Sequence, residues 1–424
     1  MRIGIVLVVA LLLATAFAGS ASASSSVAYG VQDDSWLSYG PGTLDSRLNT
    51  LDKLGIKLVR YTLQWDQIAP TRPEQPKWSG DPAYQWGSSD AVLKGLRAHG
   101  IDIVLEIRFT PSWANGGAKH NVLPTDGQDF ANFVTAVQNR FPWVHKYLIW
   151  NEPNKIIFMN PISPKNYVDK LLNPAYAALH AVDPTVQVAG GITAPRAGPS
   201  GMSPIDFLRG MKVAGAHLDV YAHNPYPENP QQETPTSGAC KTCSSITMAS
   251  LERLLAEVQK AWPGKHIWLT EYGYQTNPPD KLLGVSYAKQ AQYIGESALR
   301  VYKAARVDML IWFMVRDDPS PEGWQSGFFT TAGKKKPSYD AYRFPFAQAS
   351  RKGKNVTLWG QIRPGSGVRT YRLEMYTNGW KALGGTAKTN ASGFLTRTVT
   401  LAKGARVRLY SVRDRGYSPA LVVS

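Results

Sequence analysis

Short runs of branched apolar residues alternate with longer stretches in which apolar positions recur every three or four residues. The short runs read as strands: Val27–Val31, Lys57–Leu63, Asp102–Arg108, Lys146–Asn151, Val186–Gly191, Leu218–His223, His266–Glu271 and Asp308–Phe313. The longer stretches read as amphipathic helices. "TLDSRLNTLDKLG" opens on a capping Thr43 and stops at Gly55, "SDAVLKGLRAHG" stops at Gly100, and "DGQDFANFVTAVQNRF" opens on Asp126. "SPKNYVDKLLNPAYAALHAVDP", "SPIDFLRGMKVAG", "ITMASLERLLAEVQKAW" and "VSYAKQAQYIGESALRVYKAA" precede the fifth to eighth strands.

Eight alternating strand–helix units predict an α/β fold, a closed (β/α)8 TIM barrel over residues 27–346, in preference to an open doubly wound sheet. No GxGxxG or P-loop follows the first strand, so nucleotide binding lacks its structural basis. After "SYDAYRFPF" the period changes to two. "KNVTLWGQI", "RTYRLEMYT", "FLTRTVTL" and "RVRLYSVR", separated by turn sequences, predict a small antiparallel, β-sandwich-like domain over residues 351–424.

Composition sharpens this picture. The 424 residues are 43% hydrophobic and 11% aromatic, enough for a large packed core. Arg2 followed by "IGIVLVVALLLATAFA" and "ASA" reads as a signal peptide over residues 1–23. A membrane anchor is the other reading, but the run is shorter than the roughly 20 residues a span needs. The expectation is a secreted, extracellular protein with no membrane span after removal of the leader.

The net charge is +16, unevenly spread: from Arg351 onward 14 Lys and Arg face only Glu374 and Asp414. Such a basic domain could meet an acidic polysaccharide or an anionic cell surface, or could simply aid solubility. No nucleic-acid-binding motif accompanies it, and no nucleic-acid partner is expected. The two cysteines, Cys240 and Cys243, lie in a polar, Pro-rich loop, where a local disulfide is the plainer reading than a redox or zinc motif. No metal or other cofactor is expected. That loop, the longest after any strand, is expected to wall one side of the cleft.

In such barrels the chemistry sits at the C-terminal strand ends. Arg60 on strand two, Asn151 and Glu152 ending strand four, His223 ending strand six, Glu271 ending strand seven and Trp312 on strand eight fall there. A strand-end carboxylate alone is commonly a cap or an ion-pair partner. Two, on strands four and seven of one barrel, suit glycoside hydrolysis, in which one protonates the leaving oxygen while the other attacks the anomeric carbon or activates water. Glu106, with Arg108 two residues on, fits an ion pair inside the barrel. Trp65 fits packing at the mouth, and Trp113 either lines a subsite or packs in its loop. Asp33, Asp34, Asp317 and Asp318 are loop acids with solvation as the default and sugar contact as the alternative.

"WNEPN" on strand four and "LTEYGY" on strand seven resemble the acid/base and nucleophile motifs of glycoside hydrolase clan A. The first is most similar to family 39, with family 5 next. "VRYTLQWDQIAP" and "GFFTTAGKKKPSYDAY" resemble further segments of such enzymes, and the likeness extends over residues 29–346. The resemblance implies Glu152 as acid/base, Glu271 as nucleophile, and Arg60 as the group that keeps Glu271 ionised. It implies Asn151 on the sugar 2-hydroxyl and Trp312 as the aromatic platform beneath the sugar. His223 would bind substrate too. Tyr226 is the expected hydroxyl partner of the nucleophile, although "HNPY" holds one residue more than the usual His-x-Tyr.

The expected function is therefore a retaining glycosidase acting on a polysaccharide or oligosaccharide. Transglycosylation, or a barrel that binds carbohydrate without cleaving it, are the alternatives. The β domain would be either a structural companion or a glycan binder.

Overall fold

The structure, a computed structural model, describes residues 27–424; the leader expected at residues 1–23 lies outside them. Eight parallel strands close into a barrel in chain order: β1 (Ala28–Gln32), β2 (Leu58–Gln64), β3 (Asp102–Arg108), β4 (Lys146–Ile149), β5 (Gln187–Thr193), β6 (Val220–His223), β7 (His266–Tyr272) and β8 (Val307–Phe313). The TIM barrel and the β lobe that follows it are those expected from the periodicity. Among the described residues no helix is long and apolar enough to cross a membrane.

Alternation along each strand builds two apolar layers. Leu58, Val104, Leu148, Val220, Ala222, Trp268, Met309 and Ile311 fill the barrel interior. Their neighbours Val59, Leu105, Tyr147, Tyr221, Leu269 and Leu310 face the helices. Leu148 is fully buried, so truncation to Ala would cost about 2–5 kcal/mol in lost contacts and cavity.

The helices start and stop by local chemistry. Thr43 caps Leu44–Leu54 by accepting the Ser46 amide, and Gly55 ends it with φ +72°. Asp126, Ser203 and Ser286 cap Gly127–Arg140, Pro204–Val213 and Tyr287–Lys303 in the same way. The segment before β5 is not one regular helix. Its turns widen to a π form over Val168–Leu172, just before Pro174, whose ring nitrogen has no hydrogen to donate to the preceding turn.

The C-terminal lobe has two antiparallel sheets. One orders strands Phe394–Thr400, Asn355–Gln361 and Phe346–Lys352; the other is centred on Thr370–Tyr376 and Arg406–Ser411. Val356, Leu358, Leu373, Leu395, Val407 and Leu409 form the core between them. Phe346–Lys352 was not anticipated, because after Phe346 no large apolar residue recurs.

The lobe is clamped to the barrel. Tyr302 stacks near Trp359 and Phe394, at 5.3 and 4.8 Å between ring centroids. Arg363 lies 4.2 Å from both the Tyr29 and Tyr342 rings. Gly295 permits the contact, since a Cβ there would sit 2.5 Å from the Phe346 carbonyl oxygen. These contacts fit a structural companion.

Candidate active site

The C-terminal strand ends open onto a cleft of about 670 Å³ lined by Asn151, Glu152, Tyr226, Glu271, Phe313 and Trp324, among others. Both carboxylates reach it from strands that end irregularly. Strand pairing in β4 stops at Ile149, earlier than the sequence pattern indicates. Trp150 then turns to φ 75° and Glu152 to φ 40°, left-handed conformations that cost a non-glycine residue about 1–2 kcal/mol. Two hydrogen bonds hold the turn, from the Trp150 amide to the Ile107 carbonyl at 2.9 Å and from the Glu152 amide to the Ile192 carbonyl at 3.0 Å. In β7, Leu269 pairs with Leu310 but Tyr272 pairs with Trp312, so β7 carries one residue more than β8 over this stretch. This bulge brings Glu271 to the cleft face, which regular alternation would have denied it.

The two carboxyl groups are both buried but sit beside different partners. Arg60 is fully buried and its Nη1 forms an ion pair with Glu271 Oε1 at 2.7 Å. The Tyr226 hydroxyl donates to Glu271 Oε2 at 3.2 Å. Burial raises the Glu271 pKa above the ordinary carboxylate value, and the Arg60 charge and the Tyr226 hydroxyl offset part of that rise. Among the described residues Glu152 has no cation in contact. Asn224 Nδ2 donates to its Oε1 at 3.1 Å. Burial, then the charge of Glu271, push its pKa up to about 7. Glu271 is thus the carboxylate that ionises first, and Glu152 the one that keeps its proton near neutrality.

Arg60 is held in turn. It pairs with Glu106 and donates to the Thr270 carbonyl at 2.9 Å and to Asn151 Oδ1 at 3.0 Å. Glu106 also faces Arg108 at 3.3 Å, which gives it the internal ion pairs expected. Asn151 lines the cleft with its amide nitrogen unengaged by any described residue, free for a sugar hydroxyl. The extra residue in "HNPY" does not displace Tyr226.

Three expected substrate contacts do not reach the cleft. His223 is fully buried on the outer face of β6, with Nδ1 2.8 Å from Thr193 Oγ1 and Nε2 2.9 Å from the Ile246 carbonyl oxygen. Burial lowers its pKa to about 4, so it is neutral and structural. Trp312 lies on the outer face of β8, packed against Tyr272 and Phe328, with Nε1 donating to the Ser326 carbonyl at 2.9 Å. Trp113 donates Nε1 to the Ala69 carbonyl at 2.8 Å and packs edge-on against the buried Trp65, beneath the Arg72 guanidinium.

Their places are taken by neighbours. Asn224, one residue past His223, touches Glu152. Phe313, one past Trp312, lines the cleft, and Trp324 from the following loop packs edge-on against it at 5.4 Å. Counting every second residue from the interior positions Ala222 and Ile311 would have found Asn224 and Phe313. No strand period reaches Trp324.

The loop acids divide. Asp33 accepts the Trp36, Val315 and Arg316 amides and so ties the β1 and β8 loops together. Asp34 accepts from Gln32 Nε2 and the Thr62 amide at the cleft edge. Asp317 is buried against Lys336 at 2.7 Å, while Asp318 lines the cleft. Cys240 and Cys243 form a disulfide. Their loop does not wall the cleft: past Tyr226 none of its residues lines it, and Arg253 holds the Cys243 carbonyl over the outer helices at 2.8 Å.

No family model and no curated protein matches this sequence. Solved structures do match its fold. A family 39 glycoside hydrolase from the gut symbiont Bacteroides cellulosilyticus WH2 superposes with TM-score 0.61 at 15% identity, over 94% of this chain and 82% of that one. A monomeric β-xylosidase from Caulobacter crescentus CB15 gives 0.58 at 17%, over 91% and 95%. The GH39 enzyme from Xanthomonas axonopodis pv. citri gives 0.59 at 16%, over 91% and 93%. At these identities the likeness is one of fold, and it includes the β lobe.

Proposed function

We propose that this chain, which has the fold of family 39 glycoside hydrolases, is a retaining glycosidase. The observation that carries the reading is the pairing of Glu152 and Glu271 in one cleft, one carboxyl held as an acid and the other against Arg60. In the first step Glu271 attacks the anomeric carbon. The bond to the leaving oxygen breaks, and the Glu152 proton goes to that oxygen. In the second step a water attacks the anomeric carbon of the glycosyl–Glu271 ester and gives its proton to Glu152, which frees Glu271. Asn151 is placed for the 2-hydroxyl, whose hydrogen bond strengthens as the ring flattens. Trp324 and Phe313 offer ring surface to C–H groups of the sugar.

A panel of aryl glycosides, with product stereochemistry read by NMR, tests this. Retention is expected, together with labelling of Glu271 by a 2-deoxy-2-fluoro glycoside. Inversion would move Glu271 to the role of base, and no turnover of any member, with Glu271→Gln indistinguishable from the parent, would remove the reading. We extend the proposal to export through the leader at residues 1–23, supported by its charge–apolar–small pattern. N-terminal sequencing of protein from the medium checks it; a mature chain that still begins at Met1 would contradict cleavage.

A further inference from the structure

The cleft is not electrically even around its rim. On the wall built by the loops after β4 and β5, Lys155 and Arg196 line the cavity beside Ala194 and Pro195. Neither has a carboxylate within ion-pairing distance among the described residues, where Arg108, also in the lining, has Glu106. Each instead meets a backbone carbonyl. Lys155 Nζ donates to the Ala197 carbonyl at 3.0 Å, and Arg196 Nη1 to the Pro227 carbonyl at 3.4 Å. Lys155 and Gly201 pair as an isolated antiparallel bridge, which joins the two loops into one wall. Two cations whose partners among the described residues are carbonyl oxygens keep most of their charge for a ligand. Of the other cleft acids, Asp33, Asp34 and Asp318 line it from the β1 and β8 loops, Glu271 is held by Arg60, and Glu152, on the same loop as Lys155, makes no ion pair with it.

The position of this wall says which part of a substrate meets it. Lys155 follows Glu152 by three residues, and its amide donates to the Glu152 carbonyl at 2.8 Å. An acid that protonates the leaving oxygen has the leaving group against it. We propose that the leaving-group side of the cleft recognises an anionic sugar unit, carrying a carboxylate or sulfate, through Lys155 and Arg196, so that the substrate is an acidic glycan. This rests on the glycosidase reading for the identity of the leaving-group side. The cation pair itself stands on the geometry alone.

The test is a set of matched oligosaccharides that differ only in charge. Galacturonate, alginate and glucuronate-containing oligosaccharides are compared with their methyl esters, and chondroitin 6-sulfate oligosaccharides with unsulfated chondroitin, by calorimetric titration of the intact protein. At least one pair is expected to show about tenfold tighter binding of the more anionic member, falling as salt is raised. In the Lys155→Gln/Arg196→Gln double variant that ratio is expected to fall to about one. Whether the carboxylate or the sulfate pairs discriminate identifies the anion. Equal affinity or no binding across all pairs, or a ratio unchanged in the double variant, overturns the proposal. The assay needs no turnover, so the two readings fail separately. Acid preference without hydrolysis of any glycoside keeps the anion site and removes the glycosidase. Hydrolysis of neutral glycosides without acid preference does the reverse.

Discussion

The tips of β4 and β7 and those of β6 and β8 end at the same mouth but treat alternation differently. β6 and β8 keep it to their last residues, so His223 and Trp312 turn outward into the helix layer, and Asn224 and Phe313 turn in. β4 and β7 break it, one by left-handed turns at Trp150 and Glu152, the other by a bulge, and both carboxylates enter the cleft. Regular strands make the wall. The reactive groups sit where the backbone departs from regularity, and the surrounding hydrogen bonds must hold those departures against their cost.

The comparison is tested most severely at β7. Glu271→Gln keeps size and the Tyr226 contact but removes the nucleophile, and kcat is expected to fall by about a thousandfold or more. His223→Gln, at an equally polar strand end, is expected to leave kcat within about tenfold. If the two variants lose comparable activity in single-turnover assays, the division between irregular and regular tips is wrong.

Next in size is the pair of tryptophans near β8. Trp312→Ala removes a buried ring from the outer layer and is expected to cost about 3–5 kcal/mol of stability in urea unfolding. Trp324, 39% exposed at the cleft, is expected to cost less than about 1 kcal/mol on truncation while raising KM about tenfold. A reversed pattern, with Trp312→Ala folded normally but poor in binding, would restore Trp312 as the sugar platform.

These strand tips also mark how far the sequence could be read. Periodicity located all eight barrel strands, since each is an apolar run between capped helices, and the motifs around Glu152 and Glu271 brought those two residues together across about 120 positions of chain. What it missed has two causes. Strand-end position and the clan A resemblance point to His223 and Trp312 without regard to the side they face, although Ala222 and Ile311 set that side. Trp324, Lys155 and Arg196 lie on loops, whose paths depend on contacts such as Lys155 with Ala197 that no local pattern encodes. In the basic lobe, part of the charge is engaged within the fold. Arg372 and Arg408 are spent on Glu374 at 2.6 and 2.7 Å, and Arg408 also lies over Trp380 and Tyr417.

A subtler contrast lies within β6. Asn224 donates to Glu152 and thereby favours its ionised form, so Asn224→Ala is expected to raise the Glu152 pKa. The alkaline limb of kcat/KM, where the acid loses its proton, should then move to higher pH. His223→Ala strips hydrogen bonds from Thr193 and the Ile246 carbonyl and is expected to lower stability by about 1–3 kcal/mol. It should leave that limb in place. An alkaline limb that shifts in His223→Ala and not in Asn224→Ala would exchange their roles.

A pH series isolates the cost of the β4 tip itself. The Glu152 carboxyl titrates near 4.5 in an unfolded chain and at about 7 in the fold. Below pH 4.5 it is protonated in both states and costs nothing. As pH rises through that value the unfolded chain releases the proton while the fold retains it, so the folded state loses ground until the folded group also ionises near 7. Glu152→Gln has no proton to release, and Asn224 can donate to the Gln carbonyl as it does to the carboxyl. The variant should therefore melt at the parent's temperature at pH 4, above it at pH 6, and furthest above it at pH 8, with little further gain beyond. An advantage that is the same at all three pH values would mean that the substitution acts through packing. The β4 carboxyl would then be as comfortable when ionised as Glu271, and the assignment of the two roles would lose its electrostatic basis.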